Sequence, residues 1–173
     1  KSIDVVEGRV FTLHLRKGHK WSDGHPFTSE DFRYYWEDIA NNPELSKSGP
    51  PRALVIDGQL PTVEYPDAHT VRYSWPAPNP YFLTALAGAS PLYIYKPAHY
   101  LRQFHPRYQS AEVLEKMVKD EGKRNWMGVH VNRDRPYKAT NPELPTLQPW
   151  MNVTTPPSDR FIFERNPFYH RVD

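Results

Sequence analysis

A chain of 173 residues with 38% hydrophobic and 14% aromatic content can bury one core, and that core leans on Tyr, Phe and Trp. The formal net charge of +2 is too small to argue for a nucleic-acid partner, and acidic and basic residues are interspersed as on a solvated surface. The absence of cysteine excludes a disulfide framework and a thiolate metal site but not export, and no apolar run approaches the ~20 residues of a transmembrane helix.

In chain order, Phe11, Leu13 and Leu15 alternate with Thr12, His14 and Arg16, which predicts a strand over about 9–16 with one buried face. Asp23-Gly24 supplies a turn, Pro26 restricts the backbone after it, and Thr28 with Asp31 three residues on forms a capping box. A helix over about 29–41 follows, with Phe32, Tyr35, Trp36, Ile39 and Ala40 on one face, and Asn41-Asn-Pro43 ends it. Residues 43–59 read as a loop around Ala53-Leu-Val-Ile56. Strands near 61–66 and 69–75 make a hairpin, with Val71, Tyr73 and Trp75 sharing a face.

Asn79 as cap and Pro80 at the first helical position start a short helix that ends at Gly88. Leu92–Tyr95 reads as a short strand and 97–104 as a short helix. Ser110 opens a further helix whose apolar face is Val113, Leu114, Met117 and Val118; Glu112–Lys116 and Glu115–Lys119 are its ion pairs and Gly122 its stop. Residues 123–159 carry little periodicity and much Pro, Asn and Thr. A last strand spans about 160–165. The 19 prolines are about twice the average share of roughly 5%, and they cluster at Gly49-Pro-Pro51, at 76–80 and at 142–157. The pattern is α+β, a small antiparallel sheet with helices on one side, with 1–173 taken as a single subdomain that includes a loop-rich segment at 123–159.

Several of these stretches together resemble a known family. Phe11-Thr-Leu-His-Leu-Arg16 followed by Lys20-Trp-Ser-Asp-Gly-His-Pro-Phe-Thr-Ser-Glu-Asp-Phe32 is similar to a signature of the family 5 extracellular solute-binding proteins, the dipeptide- and oligopeptide-binding components of bacterial ABC importers. Val63-Glu-Tyr-Pro-Asp-Ala-His-Thr-Val-Arg-Tyr73, Asn79-Pro-Tyr-Phe-Leu83 and Glu164-Arg-Asn-Pro-Phe-Tyr169 resemble later motifs of the family, in order. His170 stands where relatives often carry Trp, a departure that touches local packing.

The resemblance implies a two-lobed, periplasmic-binding-protein-like parent several times longer than this chain, of which these residues form the extra subdomain of the larger lobe. It implies a peptide or other small solute as ligand, closure of the lobes without covalent chemistry, and an ABC transporter membrane permease and the remaining lobes as partners. It also implies an extracytoplasmic location, in the periplasm or as a cell-surface lipoprotein. Oligosaccharide or metal-complex binding is the alternative within the family, and a hydrolase the distant one outside it. A start at Lys1, with no signal peptide, is expected of a processed or excised piece.

Chemistry-bearing clusters are sparse. His14, His19 and His25 are irregularly spaced and read as surface or turn residues, with no metal and no cofactor expected. Glu30, Asp31, Glu37 and Asp38 could suggest the paired acids of glycoside hydrolysis, but Glu30 and Asp31 sit in a first helical turn, where negative charge suits the helix dipole. No nucleophile-elbow, zinc-protease or phosphate-loop motif occurs, so no enzyme is expected. Asn152-Val-Thr154 matches a glycosylation tripeptide that is frequent by chance. Trp36, Tyr73 and Trp75 read as core, whereas Trp126 and Trp150 stay open as ligand or interdomain contacts. The ligand-facing candidates are Lys47 and Arg52, in the irregular loop Leu45 to Leu54, and Trp150.

Overall fold

The computed structural model describes residues 1–136 and 141–171. Its contacts group into two compact units, Lys1–Gly18 with Thr28–Lys96 and His19–Phe27 with Pro97–Asp173. Both fall within the stretch that the sequence reads as one subdomain. Among the described residues, no helix is long and apolar enough to cross a membrane.

The first unit is built on an antiparallel sheet of β1 (Ser2–Val6), β2 (Val10–His14), β3 (Thr62–Asp67) and β4 (Thr70–Ser74), in the order β1-β2-β4-β3. The β1–β2 turn places Glu7 and Gly8 at φ of 52° and 63°, two successive left-handed residues whose twist suits a hairpin. Phe11 lies opposite Tyr73 and Leu13 opposite Val71, and Phe11, Val71, Tyr73 and Trp75 are all buried. The other face is polar, with His14 against Asp4 and Arg72 against Glu64. Pro66 lies in the edge strand β3, where the register shifts between Glu64 and Asp67; a residue without an N–H is tolerated at such a place.

Helix α1 (Ser29–Arg33) has the expected capping box, with the Thr28 side chain accepting from the Glu30 amide and the Thr28 amide donating to Asp31 Oδ2 at 2.9 Å. The chain then continues as a π-helix over Tyr34–Ala40, where an α-helix was expected. The Asn41 amide and Nδ2 both donate to the Trp36 carbonyl five residues back, at 3.1 and 2.8 Å. This longer reach rotates the residues relative to an α-helix. Tyr34 and Asp38 consequently turn inward, and Trp36 and Ile39, expected on the buried face, are only half-buried.

Helix α2 (Phe82–Ala87) begins two residues beyond Pro80, although Asn79 Oδ1 still accepts the Tyr81 amide at 3.1 Å. Residues 92–95, expected to be a strand, join no ladder. The Leu92 amide donates to the Ala85 carbonyl of α2 instead, and Ile94 is buried.

The second unit contains α3 (Ala98–Leu101), which tightens into a 3-10 turn at Arg102–Phe104, then α4 (Ala111–Asp120) and α5 (Trp126–Arg133). Ser110 caps α4, as expected, and Lys116 pairs with Asp120 at 2.5 Å rather than with Glu112. Of its apolar face only Leu114 is fully buried. Helix α5 falls inside 123–159, which the sequence reads as loop. Asn125 caps it by accepting the Gly128 amide at 3.0 Å, and Arg133 grips Glu121 through Nε and Nη2 at 2.9 and 2.7 Å. The last strand, β6 (Phe163–Arg165), pairs with β5 (Trp150–Asn152), which has no sequence signal of its own.

Candidate functional site

In the first unit, an aromatic cluster sets the position of the loop that carries Lys47 and Arg52. Phe11, Tyr73, Trp75 and Phe82 meet with ring centroids 5.0–6.1 Å apart, the separations that aromatic pairs favour. From this cluster the buried Trp75 Nε1 donates to the Leu54 carbonyl at 3.0 Å, and the buried Asn79 Nδ2 donates to Ala53 O at 3.0 Å. The far end of the loop is therefore pinned to the core. Its near end is folded on Asn42, whose Oδ1 accepts the Glu44 and Leu45 amides.

Lys47 and Arg52 are both exposed on this braced loop, and the described residues show no ion pair to either. The loop is thus held at its far end by the buried Trp75 and Asn79 and at its near end by the half-buried Asn42, while its cations face solvent. Trp150, the third expected contact, belongs to the second unit, opens β5 and is 56% exposed.

The acidic residues of the first helix are committed to one guanidinium and one cap. Arg33 Nε and Nη2 donate to the Glu30 carboxylate at 2.6–3.0 Å, Nη1 contacts Glu37 at 2.6 Å, and buried Asp38 lies 3.7 Å from Nη1. Glu30, Glu37 and Asp38 are thus gathered around the single Arg33 guanidinium. Beneath the π-helix, burial raises the Tyr65 and Tyr73 phenols above their ordinary value, with Glu37 adding to the effect at Tyr65 and the Tyr65 phenol at Tyr73. Both hydroxyls are buried without a hydrogen-bond partner.

An open depression of about 950 Å³ at one end of the sheet is lined by His14, Arg16, Lys17, Asp67 and His69 among others. The His69 amide holds the Asp67 carboxyl below its ordinary value.

In the second unit the Trp21-Ser-Asp-Gly24 turn is a packing junction. The Trp21 amide donates to His25 O at 2.8 Å and the Gly24 amide to Trp21 O at 2.9 Å. Trp21 and Phe27 are buried edge to face, 5.6 Å apart. Ser22 exchanges two hydrogen bonds with Thr146, each 3.0 Å. Buried Asn166 donates from Nδ2 to the Thr146 and Gln148 carbonyls and accepts the Phe168 amide at 2.9 Å. Phe168 in turn lies against Gly24, where an added Cβ would sit 3.3 Å from its ring. Two motifs separated by more than a hundred residues, Trp-Ser-Asp-Gly and Arg-Asn-Pro, therefore form one cluster through Thr146. His170 packs edge to face with His19 at 5.5 Å.

His25 stacks on His99 at 3.8 Å with planes 5° apart, and His99 Nε2 donates to Asp23 Oδ2 at 2.7 Å. Burial raises the Asp23 carboxyl, but the His25 amide and the His99 ring outweigh it and hold the group below its ordinary value. Two imidazoles in parallel planes cannot both aim in-plane lone pairs at one ion, and no group of three or more metal-ligating side chains forms among the described residues.

The described residues thus form an aromatic scaffold, a group of helix acids gathered on Arg33, and exposed cations on a braced loop. The comparisons identify that scaffold. A solved structure of the oligopeptide-binding protein OppA superposes on 97% of this chain and 25% of its own, with a TM-score of 0.81 and 37% identity. The binding protein MelB of Agrobacterium fabrum, solved with stachyose, superposes on 98% of this chain and 23% of its own, with a TM-score of 0.69 and 27% identity. The periplasmic alpha-galactoside-binding protein of Rhizobium meliloti is 30% identical over 100% of this chain and 22% of its own length.

The fold is thus that of part of a bacterial solute-binding protein. The family profile described as "Bacterial extracellular solute-binding proteins, family 5 Middle" matches residues 4–173, and the chain belongs to that family. It is a family of binders, not of enzymes, and the chain spans about a quarter of the length of the relatives it matches.

Proposed function

We propose that this chain is part of an extracytoplasmic protein that captures peptides and delivers them to the membrane permease of an ABC importer. The observation that carries the reading is the superposition of 97% of the chain on OppA at 37% identity. Capture would proceed by closure of two lobes over the solute, with no covalent step. Within this stretch Lys47 and Arg52 are the side chains we assign to the solute side. They are exposed cations on a loop whose ends are pinned by Trp75, Asn79 and Asn42, a geometry that presents charge at little cost in ordering.

Oligosaccharide capture is the second reading. It is favoured by the match of the alpha-galactoside binder over 100% of the chain and by the stachyose complex of MelB. Calorimetry of the full-length protein with a peptide panel and an α-galactoside panel separates the two. Saturable binding of peptides alone is the expected result, and saturable binding of α-galactosides alone overturns it. In the same assay, Lys47→Ala with Arg52→Ala lowers affinity without lowering Tm if these side chains face the solute; unchanged affinity removes them from the site.

A further inference from the structure

The sequence contains two Asp-Gly steps, Asp23-Gly24 and Asp57-Gly58, and the fold treats them differently. In such a step the glycine amide nitrogen can attack the neighbouring carboxyl carbon, because no Cβ shields it. At the first step the reacting groups are occupied. Asp23 Oδ1 accepts the His25 amide at 3.0 Å and Oδ2 accepts from His99 Nε2 at 2.7 Å. The Gly24 amide donates to Trp21 O at 2.9 Å, and the Phe168 ring lies 3.3 Å from where a Gly24 Cβ would stand. At the second step both residues are exposed, and nothing lies within 4 Å of where a Gly58 Cβ would stand. Among the described residues neither the Asp57 carboxylate nor the Gly58 amide has a hydrogen bond or ion pair. Asp57 and Gly58 stand at φ of 49° and 76°, the left-handed pair at the centre of a two-residue turn. That turn is closed by one isolated bridge, with the Ile56 amide on Gln59 O at 2.9 Å and the Gln59 amide on Ile56 O at 2.8 Å. It can open without disturbing the sheet.

We propose that Asp57-Gly58 is a site of spontaneous covalent modification, which isomerises through a cyclic imide to isoaspartate in the folded protein, while Asp23-Gly24 is protected. The Gly58 amide nitrogen forms a bond to Asp57 Cγ, and the carboxyl hydroxyl leaves with the amide hydrogen as water. Water then adds at either carbonyl of the imide. Addition at Cγ breaks the new bond and restores aspartate. Addition at the main-chain carbonyl breaks the original peptide bond and leaves the chain running through the side-chain carbon. No oxidant or enzyme is required, and the net mass is unchanged. The product lengthens the main chain by one carbon inside the turn, so the Ile56–Gln59 bridge cannot re-form in register. Leu54, whose carbonyl Trp75 holds, lies just before Ile56, so the lesion falls beside the anchored end of the loop that carries Lys47 and Arg52. The chemistry is the same whichever solute is bound.

Ageing the folded, full-length protein in heavy-oxygen water at neutral pH, followed by proteolysis and mass spectrometry, tests the assignment. Each passage through the imide leaves a heavy oxygen at the site, and the urea-unfolded protein is the reference in which both steps are free to react. In the folded protein, label at Asp57 is expected to accumulate at least about tenfold faster than at Asp23, since an exposed turn opens at lower cost than a packed one. A second chromatographic form of the same peptide, whose fragments place isoaspartate at this position, accompanies it. In urea the two sites label at similar rates. Asp57→Glu, whose longer side chain would need a larger ring, abolishes the label at this position and leaves Tm unchanged. Label at Asp57 no faster than at Asp23 in the folded protein overturns the proposal. A tenfold difference that persists in urea also overturns it, because local sequence and not the fold then sets the rates. Label that survives at this position in Asp57→Glu overturns it as well, because the oxygen then enters by another route.

Discussion

Tyr73 is fully buried, and its hydroxyl has no hydrogen-bond partner. An unsatisfied buried polar group costs about 1–3 kcal/mol, so Tyr73→Phe, which keeps the ring in its aromatic cluster, is expected to leave Tm at neutral pH unchanged or to raise it. Burial holds the phenol above its ordinary value of 10.0. In alkali the unfolded chain therefore releases this proton while the folded chain keeps it, and stability falls as pH rises through the ordinary value. Tyr73→Phe should lose less Tm than the parent chain between about pH 9 and 11; an equal loss assigns the alkaline limb to other groups. At Asp23 the sign reverses. Its folded carboxyl lies below the ordinary 3.8, so its contribution is fully present above that value and disappears as pH falls through the lowered one. Asp23→Asn is expected to be less stable than the parent near pH 7, with the gap closing on acidification in a Tm-against-pH series. A gap that stays constant refutes the charge-based account.

Elements carried by neighbouring residues are legible in the sequence, and those that depend on distant partners are not. The strand at Phe11–Leu15, the Thr28–Asp31 capping box and the Ser110 cap declare themselves within a few residues, because alternation and capping are local. Strand β5 has three residues and acquires its identity from Arg165, Glu164 and Phe163 across a long loop, and a chain segment carries no mark of a partner so far away. The π-helix escapes because its Phe32, Tyr35, Ile39 spacing equally suits an α-helix. Helix α5 escapes because Gly128 and Asn132 are poor helix formers and its buried face uses Val129 and His130 rather than an aliphatic stripe. This makes its cap important: Asn125 Oδ1 receives the Gly128 amide, and loss of an N-cap costs about 0.5–2 kcal/mol. Asn125→Ala is expected to speed hydrogen exchange selectively at Trp126–Arg133 while β2 and β4 keep their protection. Uniform acceleration across both units would show that α5 opens only with the whole chain.

At the scale of the whole molecule, family membership was legible because its motifs build core and turns, and the solute site was not, because nothing in a motif that packs a core reports what a distant surface holds. Trp21, Phe27 and Asn166 identify the chain through buried contacts. Lys47 and Arg52 are distinguished only by exposure on a braced loop, a property that many solvated cations share. The same separation predicts how the isolated 173 residues behave in solution. A micromolar Kd corresponds to about 8 kcal/mol, and a solute gains that much only when most of its surface is enclosed, since the loss of translational and rotational freedom must be offset first. Enclosure in a binding protein that closes comes from two lobes, and this chain spans about a quarter of its relatives. The depression at one end of its sheet is open to solvent, whereas a small-ligand site encloses most of its ligand's surface. Calorimetry of the isolated chain with the peptide and α-galactoside panels should therefore give no saturable heat at micromolar concentrations under conditions where the full-length protein binds. Micromolar binding by these residues alone would place the determinants of recognition inside this quarter of the protein and make closure dispensable for affinity.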